Sequence, residues 1–194
     1  SMDTVRGVLN RGSDFVVSSK DEFNEGIDHI FGLIKDSFLL YKNGSYPTSY
    51  YLSIIVIEEV AKLHMGLFVP PHVPGTNRKQ DKLYDHKTKD IIGCNFTVSL
   101  SDRLRNAIGL PAIEKICNEA YNGDLKNKRE RAFYFAPQNG RLVFPYEQYS
   151  KEDTKNILLF AIESFDDNLA GYTDYSLEKS SETDRIFNKI CLDK

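Results

Sequence analysis

The stretch Tyr50–Lys62, YYLSIIVIEEVAK, decides the fold because it joins a fully apolar run to three charged residues. The run Ile54–Ile57 has no polar side, so a helix that carries it must be buried. Residues three, four and seven positions apart share a helical face, so the buried faces continue into Glu58, Glu59 and Lys62. A buried charge costs several kcal/mol unless it is paired or used. The stretch therefore predicts a central helix with a carboxylate and an ammonium near the core.

Two explanations for these charged residues stay open. An exposed Glu58–Lys62 pair at i,i+4 would contribute only about 0.3–0.5 kcal/mol, and it does not account for both glutamates after an apolar run. A buried network that orients neighbouring helices and a direct role in a functional site both remain.

The composition indicates one globular domain. The chain has 194 residues, 41% hydrophobic and 27% charged, which is long enough for a sizeable core. Cys94, Cys117 and Cys191 are far apart and odd in number, which is typical of reduced thiols. No apolar run approaches the roughly 20 residues of a membrane span, and residues 1–20 lack an apolar signal core. We expect a cytoplasmic protein that does not contact a membrane.

Charge is distributed unevenly along the chain. The formal net charge is −3, which disfavours nucleic-acid binding over the whole surface. Residues 78–131 nevertheless contain 12 Lys and Arg against 8 Asp and Glu. This segment is either an ordinary solvated face or a local basic groove.

Hydrophobic periodicity and capping residues predict an all-α helical bundle. Ser18 or Ser19 caps a helix from Lys20 to Lys42, and Ser45 with Pro47 begins a second one. Because the connecting loop is short, the two long helices must pack antiparallel. The second helix is expected to run to about Phe68, and further helices are expected over residues 77–95, 101–121, 125–134, 151–169 and 178–192, with a split near Gly109. A short β-hairpin near 133–144 would turn at Asn139-Gly140. The expected divisions are an N-terminal extension (1–19), a helical domain (20–170) and a helical tail (171–194).

The segment Asp85–Lys89, DHKTK, is the second candidate site. His86 is suited to proton transfer near neutral pH, and Lys87 and Lys89 could hold a phosphate. Asp90 follows one helical turn after His86. An exposed polar helix face would explain the same pattern.

The segment Lys128–Tyr134, KRERAFY, is the third candidate. Its basic residues Lys128, Arg129 and Arg131 stand beside two aromatic residues, as suits a phosphate backbone with stacked bases. The same cations would complement a helix dipole near its C-terminus. Arg129 and Tyr134 lie about 140° apart on an ideal helix, so they could converge only at a helix end or across a dimer interface.

Several other chemistries lack a motif. The four histidines show no metal-ligand spacing and there is no Cys-x-x-Cys, so we expect neither a structural zinc nor another metal or cofactor. The chain also lacks a phosphate-binding loop, a dinucleotide fingerprint and a serine-hydrolase elbow.

Taken in order, NGSYPTSYYLSIIVIEEVAK, DHKTK and KRERAFYF followed by a proline and NG resemble the AbiV family of abortive-infection proteins, within the HEPN superfamily of helical domains. The resemblance covers roughly residues 20–170. It implies a HEPN-like helical bundle built on the two long antiparallel helices, and a bacterial anti-phage factor that arrests translation. HEPN domains are commonly dimers, and the active ones cut RNA without metal through an Arg-x4–6-His motif. In this sequence no Arg precedes a His at that spacing, and Tyr134 follows Arg129 where His would stand.

The leading hypothesis is an effector that arrests translation by binding or cleaving RNA. It assigns catalytic roles to His86, Arg129, Tyr134 and Glu59, and RNA binding to Lys62, Lys87, Lys89, Lys128 and Arg131. The expected partners are a second copy of the chain, RNA or the translation machinery, and a phage-encoded activator protein. A non-catalytic helical dimer that binds a phage or host protein is the alternative. A helical partner of a nucleotidyltransferase is a third.

Overall fold

The computed structural model describes residues 2–72, 81–95 and 102–193. Over these residues the order of helices is α1 (Met2–Leu9), α2 (Lys20–Lys42), α3 (Tyr46–Gly66), α4 (His86–Asn95), α5 (Arg103–Ile108), α6 (Leu110–Asn122), α7 (Asp124–Phe133), α8 (Lys151–Leu169) and α9 (Asp174–Cys191). Short 3₁₀ helices occupy Lys82–Tyr84 and Pro145–Glu147. Strands β1 (Ala136–Gln138) and β2 (Arg141–Val143) form an antiparallel hairpin. The predicted all-α bundle and the short hairpin are confirmed.

Helices α2 and α3 pack antiparallel, as their short connection predicts. Near the connection, the Ser37 hydroxyl lies 3.0 Å from each of the Ser49 and Ser53 hydroxyls, and all three residues are fully buried. At the far end, Gly26 of α2 faces Leu63 of α3 so closely that a Cβ at Gly26 would overlap the leucine side chain. Small residues therefore allow this close approach along both ends of the pair.

Helix α8 lies in the centre of the main core. Residues 157–165 are buried on every face, as the apolar run ILLFAI in this segment requires. The rest of this core comes from α2, α3, α4, α5, α6, α7 and α9, together with Tyr149. Arg103 links α5 to two other helices. Its guanidinium pairs with Glu163 and Asp166 of α8 and with Asp184 of α9.

A second, smaller core joins the N-terminal helix to the bundle. Val8 of α1 is 1% exposed and belongs to a cluster with Ala61, Met65, Leu83 and Ile92. The N-terminal extension expected over residues 1–19 thus contains a packed helix. At the other end, α9 begins at Asp174, where Thr173 accepts a hydrogen bond from the Ser176 amide, and not at residue 178.

The start of α4 differs from the sequence prediction for a local reason. The helix expected over 77–95 begins at His86, because Asp85 caps it: its carboxylate accepts hydrogen bonds from the Thr88 amide and hydroxyl. Residues 77–80 lie outside the described part of the chain, as does Ser101, the expected cap of the next helix. The split at Gly109 is present, with α5 ending at Ile108 and α6 starting at Leu110.

Within the described residues, no helix is both long and apolar enough to cross a membrane.

Candidate functional site

Glu58 is the centre of a charged cluster formed by α3, α4 and α7. It is 2% exposed. Its Oε2 accepts from Lys89 Nζ at 2.6 Å and lies 2.8 Å from His86 Nδ1, and its Oε1 accepts from Arg129 Nη1 at 2.7 Å. Arg129 Nη1 also lies 2.9 Å from His86 Nδ1. We call these four residues the Glu58 cluster.

The contacts of His86 decide which of its nitrogens carries the proton in the neutral ring. A protonated Nδ1 donates to the Glu58 carboxylate, whereas an unprotonated Nδ1 would accept from Arg129 but point its lone pair at that carboxylate. We assign the proton to Nδ1, because a lone pair against the negative carboxylate is the less favourable arrangement, and Nε2 is then left to accept a proton. The 2.9 Å approach of Arg129 Nη1 to Nδ1 is then a contact between two donors and not a hydrogen bond. The His86 side chain is 36% exposed, against 7% for Lys89 and 11% for Arg129, so the imidazole is the part of the cluster that solvent reaches most easily.

Asp90 adds a second buried carboxyl beside the cluster. It is 0% exposed, and neither of its oxygens has a hydrogen-bond partner among the described residues. Burial and the nearby charge of Glu58 raise the pKa of Asp90 to about 8, although Arg129 and Lys89 act in the opposite direction. Asp90 is therefore mainly protonated at neutral pH. Its sequence signal was its place one turn after His86, and nothing local showed that it would be buried.

Glu59 and Lys62 lie away from His86, in a different location from the one that the sequence suggested. Lys62 Nζ lies 2.6 Å from Glu59 Oε1, and both side chains line a cavity of about 330 Å³ between α2, α3 and residues 14–17. Glu58 takes the position beside His86 because it follows Ile54 on the buried face of α3. Glu59 follows Ile55, which is only half-buried. The site roles of Glu59 and Lys62 stay predictions without a contact to the Glu58 cluster.

The remaining predicted site residues lie around the outer face of α7. Lys128 pairs with Glu119 of α6 at 2.6 Å. Lys87 is exposed, with its side chain against Gly123 at the start of α7. Arg131 and Tyr134 line a cavity of about 220 Å³ with Asn127, Glu130 and Ala136.

Tyr134 stands at the C-terminal end of α7 and is 64% exposed. Its ring centroid lies 5.2 Å from that of Phe133. The described contacts do not bring its hydroxyl to Arg129. The residue that meets Arg129 is His86, from another helix.

An exposed aromatic surface adjoins the end of α7. Phe135 packs on Phe144 with centroids 5.4 Å apart, and Phe144 stacks on Tyr146 at 5.8 Å. Tyr146 is 73% exposed, and Phe135 is 59% exposed. The aromatic surface consists of Phe133, Tyr134, Phe135, Leu142, Phe144 and Tyr146. Large exposed apolar patches are a common feature of interaction sites.

The family comparison identifies the bundle. Residues 23–165 match the HEPN family described as AbiV, a span that includes every member of the Glu58 cluster. Comparisons with curated proteins and with solved structures give no significant match. The matched span covers most of the chain, and the helical bundle is the one that the resemblance predicted. The chain therefore belongs to the AbiV family of abortive-infection proteins in the HEPN superfamily.

Proposed function

We propose that this protein is an anti-phage effector that arrests translation by acting on RNA at the Glu58 cluster. The observation that carries the proposal is the meeting of Arg129 and His86. They come from α7 and α4, and their nitrogens lie 2.9 Å apart on a shared carboxylate. A histidine can transfer the protons and an arginine can stabilise the charge that develops on the phosphate, and RNA cleavage without a metal depends on both kinds of help.

In this proposal His86 acts as the proton-transfer group. Its Nε2 takes the proton of a ribose 2′-hydroxyl, and the 2′-oxygen attacks the adjacent phosphorus. The bond from phosphorus to the 5′-oxygen breaks, and the imidazolium returns the proton to that oxygen. Glu58 holds the ring and stabilises the imidazolium between the two transfers, because its carboxylate contacts Nδ1.

Arg129 binds the reacting phosphate. A guanidinium has five N–H donors, and the described contacts of Arg129 with Glu58 and His86 use only Nη1. Lys87 and Arg131 are both exposed, and in this proposal they extend the phosphate path. Tyr134 offers an exposed ring for a stacked base.

The test is incubation of the purified protein with total bacterial RNA and with a translating extract, in the presence of a chelator. We expect chelator-resistant cleavage, together with loss of protein synthesis. His86→Ala and Arg129→Lys should reduce cleavage by at least about 100-fold, since a positioned proton-transfer group typically contributes 10²–10⁴. The matched controls are His29→Ala and Arg105→Lys, both at exposed side chains outside the cluster.

Two results would contradict this proposal. Cleavage that persists in folded His86→Ala protein removes His86 as the catalytic group. Translation arrest with intact RNA removes cleavage altogether, and RNA binding must then be measured with the same variants.

The aromatic surface favours a second candidate function, a non-catalytic homodimer that acts by binding a phage or host protein. Exposed Phe and Tyr rings are enriched at protein interfaces. Phe135→Ser and Tyr146→Ser would then abolish the toxicity of the protein to bacterial cells and lower its sedimentation coefficient. Leu192→Ser, at an 81% exposed position elsewhere, would change neither property. If the protein sediments as a monomer at all concentrations and both variants stay toxic, this candidate is excluded.

A further inference from the structure

Three side chains from separate segments converge beside the second core. They are Asp14 before α2, His72 after α3, and Asp81 before the 3₁₀ helix at Lys82–Tyr84. His72 Nε2 lies 3.3 Å from Asp14 Oδ1 and 3.5 Å from Asp81 Oδ2. All three ligand atoms lie within 4.8 Å of one another.

The backbone holds these segments together independently of the three side chains. The Ser13 amide donates to the Pro70 carbonyl at 3.0 Å. Gly12 has a φ of +70°, and a Cβ there would lie 2.5 Å from the Pro71 carbonyl oxygen. The backbone before Asp14 is thus held against the backbone before His72. This contact places the two side chains close to each other.

Asp81 is held in one orientation by three hydrogen bonds, two of which reach Oδ2, the oxygen that faces His72. Its side chain is 0% exposed. Oδ1 accepts from the Leu83 amide at 2.9 Å, and Oδ2 accepts from the Ser13 hydroxyl and the Asp14 amide at 2.8 and 3.0 Å. Hydrogen bonds of this kind fix the orientation of ligating carboxylates in metal sites.

The side chain of His72 is 17% exposed, but its ring nitrogens lie on the shielded side. Both ring nitrogens are shielded from solvent, and neither has a hydrogen-bond partner among the described residues. The two neighbouring carboxylates are close enough for attraction, yet they are not placed to accept an N–H hydrogen bond. A buried polar atom with no partner calls for an unseen one.

We propose that Asp14, His72 and Asp81 bind one divalent transition-metal ion, for which Zn²⁺ fits best. Ligands at about 2.0–2.1 Å from a tetrahedral centre lie roughly 3.3–3.4 Å apart, which agrees with the distances from His72 Nε2 to both carboxylates. Ca²⁺ would need six to eight oxygen ligands. Two carboxylates neutralise the charge of the ion, and the half-exposed Asp14 leaves a path for its entry. The ion would clamp the segment before α2 to the chain that follows α3. Ligands from three separate segments have no spacing motif, so no pattern in the sequence indicated the site.

The experiment uses the full chain, free of any histidine tag and stripped with a chelator. Titration calorimetry with zinc chloride measures stoichiometry and affinity, and thermal unfolding is followed with and without zinc. We expect one ion per chain and a higher Tm with zinc. His72→Gln and Asp14→Asn should weaken binding by more than the 10–100-fold that loss of an outer-shell partner costs. His29→Gln, at an exposed histidine outside the cluster, should bind zinc as the unmodified chain does.

Circular dichroism of each variant without metal verifies its fold, and Asp81 is left unchanged because it also caps the 3₁₀ helix. Zinc binding that is equal in the unmodified chain and in His72→Gln would overturn the proposal. So would the absence of stoichiometric binding, in which case His72 is an ion-pair partner of the two carboxylates.

Discussion

Glu58 and Glu59 are adjacent residues of the same type in very different surroundings. Glu58 is enclosed by Lys89, His86 and Arg129, whereas Glu59 is partly exposed beside Lys62. A rotation of about 100° around the helix separates them. That rotation determines whether the carboxylate is buried and needs cationic partners from the protein, or is exposed enough to be solvated by water.

We expect Glu58→Ala to lower the free energy of unfolding by about 3–5 kcal/mol, because it leaves the charges of Lys89 and Arg129 buried without their partner. Glu59→Ala is the matched control and should cost under about 1 kcal/mol, as partly exposed pairs do. Urea unfolding of both variants measures the difference. Equal losses would show that Glu58 does not hold the cluster together.

Asp90 should make stability depend on pH. Burial and Glu58 raise its pKa to about 8, from an ordinary 3.8, despite the opposing charges of Arg129 and Lys89. Between these values the folded state binds more protons than the unfolded state, so this group makes the free energy of unfolding fall as pH rises, with no further change above about pH 8. Asp90→Asn should remove that decline and be more stable than the unmodified chain near pH 8. Urea unfolding at about pH 5, 6.5 and 8.5 tests this. Parallel pH curves for the two proteins would contradict it.

At the scale of the elements, the Glu58 cluster depends on how closely α4 approaches α3. Gly93 lies against Ile57, where a Cβ would stand 2.6 Å from both the Ile57 carbonyl oxygen and its Cγ2. The Ser164 hydroxyl also donates to the Gly93 carbonyl at 2.9 Å, which ties α4 to α8. His86 and Lys89 are carried by the same short helix, so any displacement of α4 moves them away from Glu58.

Gly93→Ala should therefore cost roughly 1–3 kcal/mol, through overpacking of the α3–α4 contact. Gly32→Ala is its counterpart on α2, where a Cβ would meet nothing within 4 Å, and it should stabilise the protein by about 0.5–1 kcal/mol. Thermal unfolding of the two variants gives opposite shifts in Tm. A neutral Gly93→Ala would mean that the two helices separate without strain.

At the scale of the whole molecule, both cores include helices that lie outside the residues matched by the family. The AbiV match covers residues 23–165, whereas Val8 of α1 and Phe187 of α9 are both buried in the described structure. Helix α1 contributes to the smaller core, and α9 contributes to the main one. Both terminal helices therefore stabilise the same bundle that positions the Glu58 cluster.

Val8→Asp should destabilise the protein by roughly 3 kcal/mol or more, because it places an unpaired carboxylate in the smaller core. Met2→Asp, at a 66% exposed position of the same helix, should change stability by less than about 0.5 kcal/mol. Chemical denaturation monitored by circular dichroism compares them. If Val8→Asp unfolds like the unmodified chain, α1 is not part of the cooperative unit.

The helices were predictable because their signals are local. Apolar periodicity over residues 20–42 and 151–169, with Ser18 or Ser19 as the cap of the first, predicted α2 and α8 to within a residue. Asn139-Gly140 likewise predicted the turn of the hairpin. The start of α4 was missed because a single side chain, Asp85, ends one segment and caps the next.

The sites were less predictable, because they depend on contacts between helices far apart in sequence. The sequence by itself determined that residues 50–62 form a buried helix with charges near the core, and that His86 and Arg129 were candidates for one site. Only the tertiary structure decided that His86 and Arg129 contact Glu58 and not Glu59, and that Asp90 is buried beside them. It also decided that Asp14, His72 and Asp81 converge. Helical periodicity relates residues only within a few turns, whereas these contacts depend on the rotation and separation of packed helices.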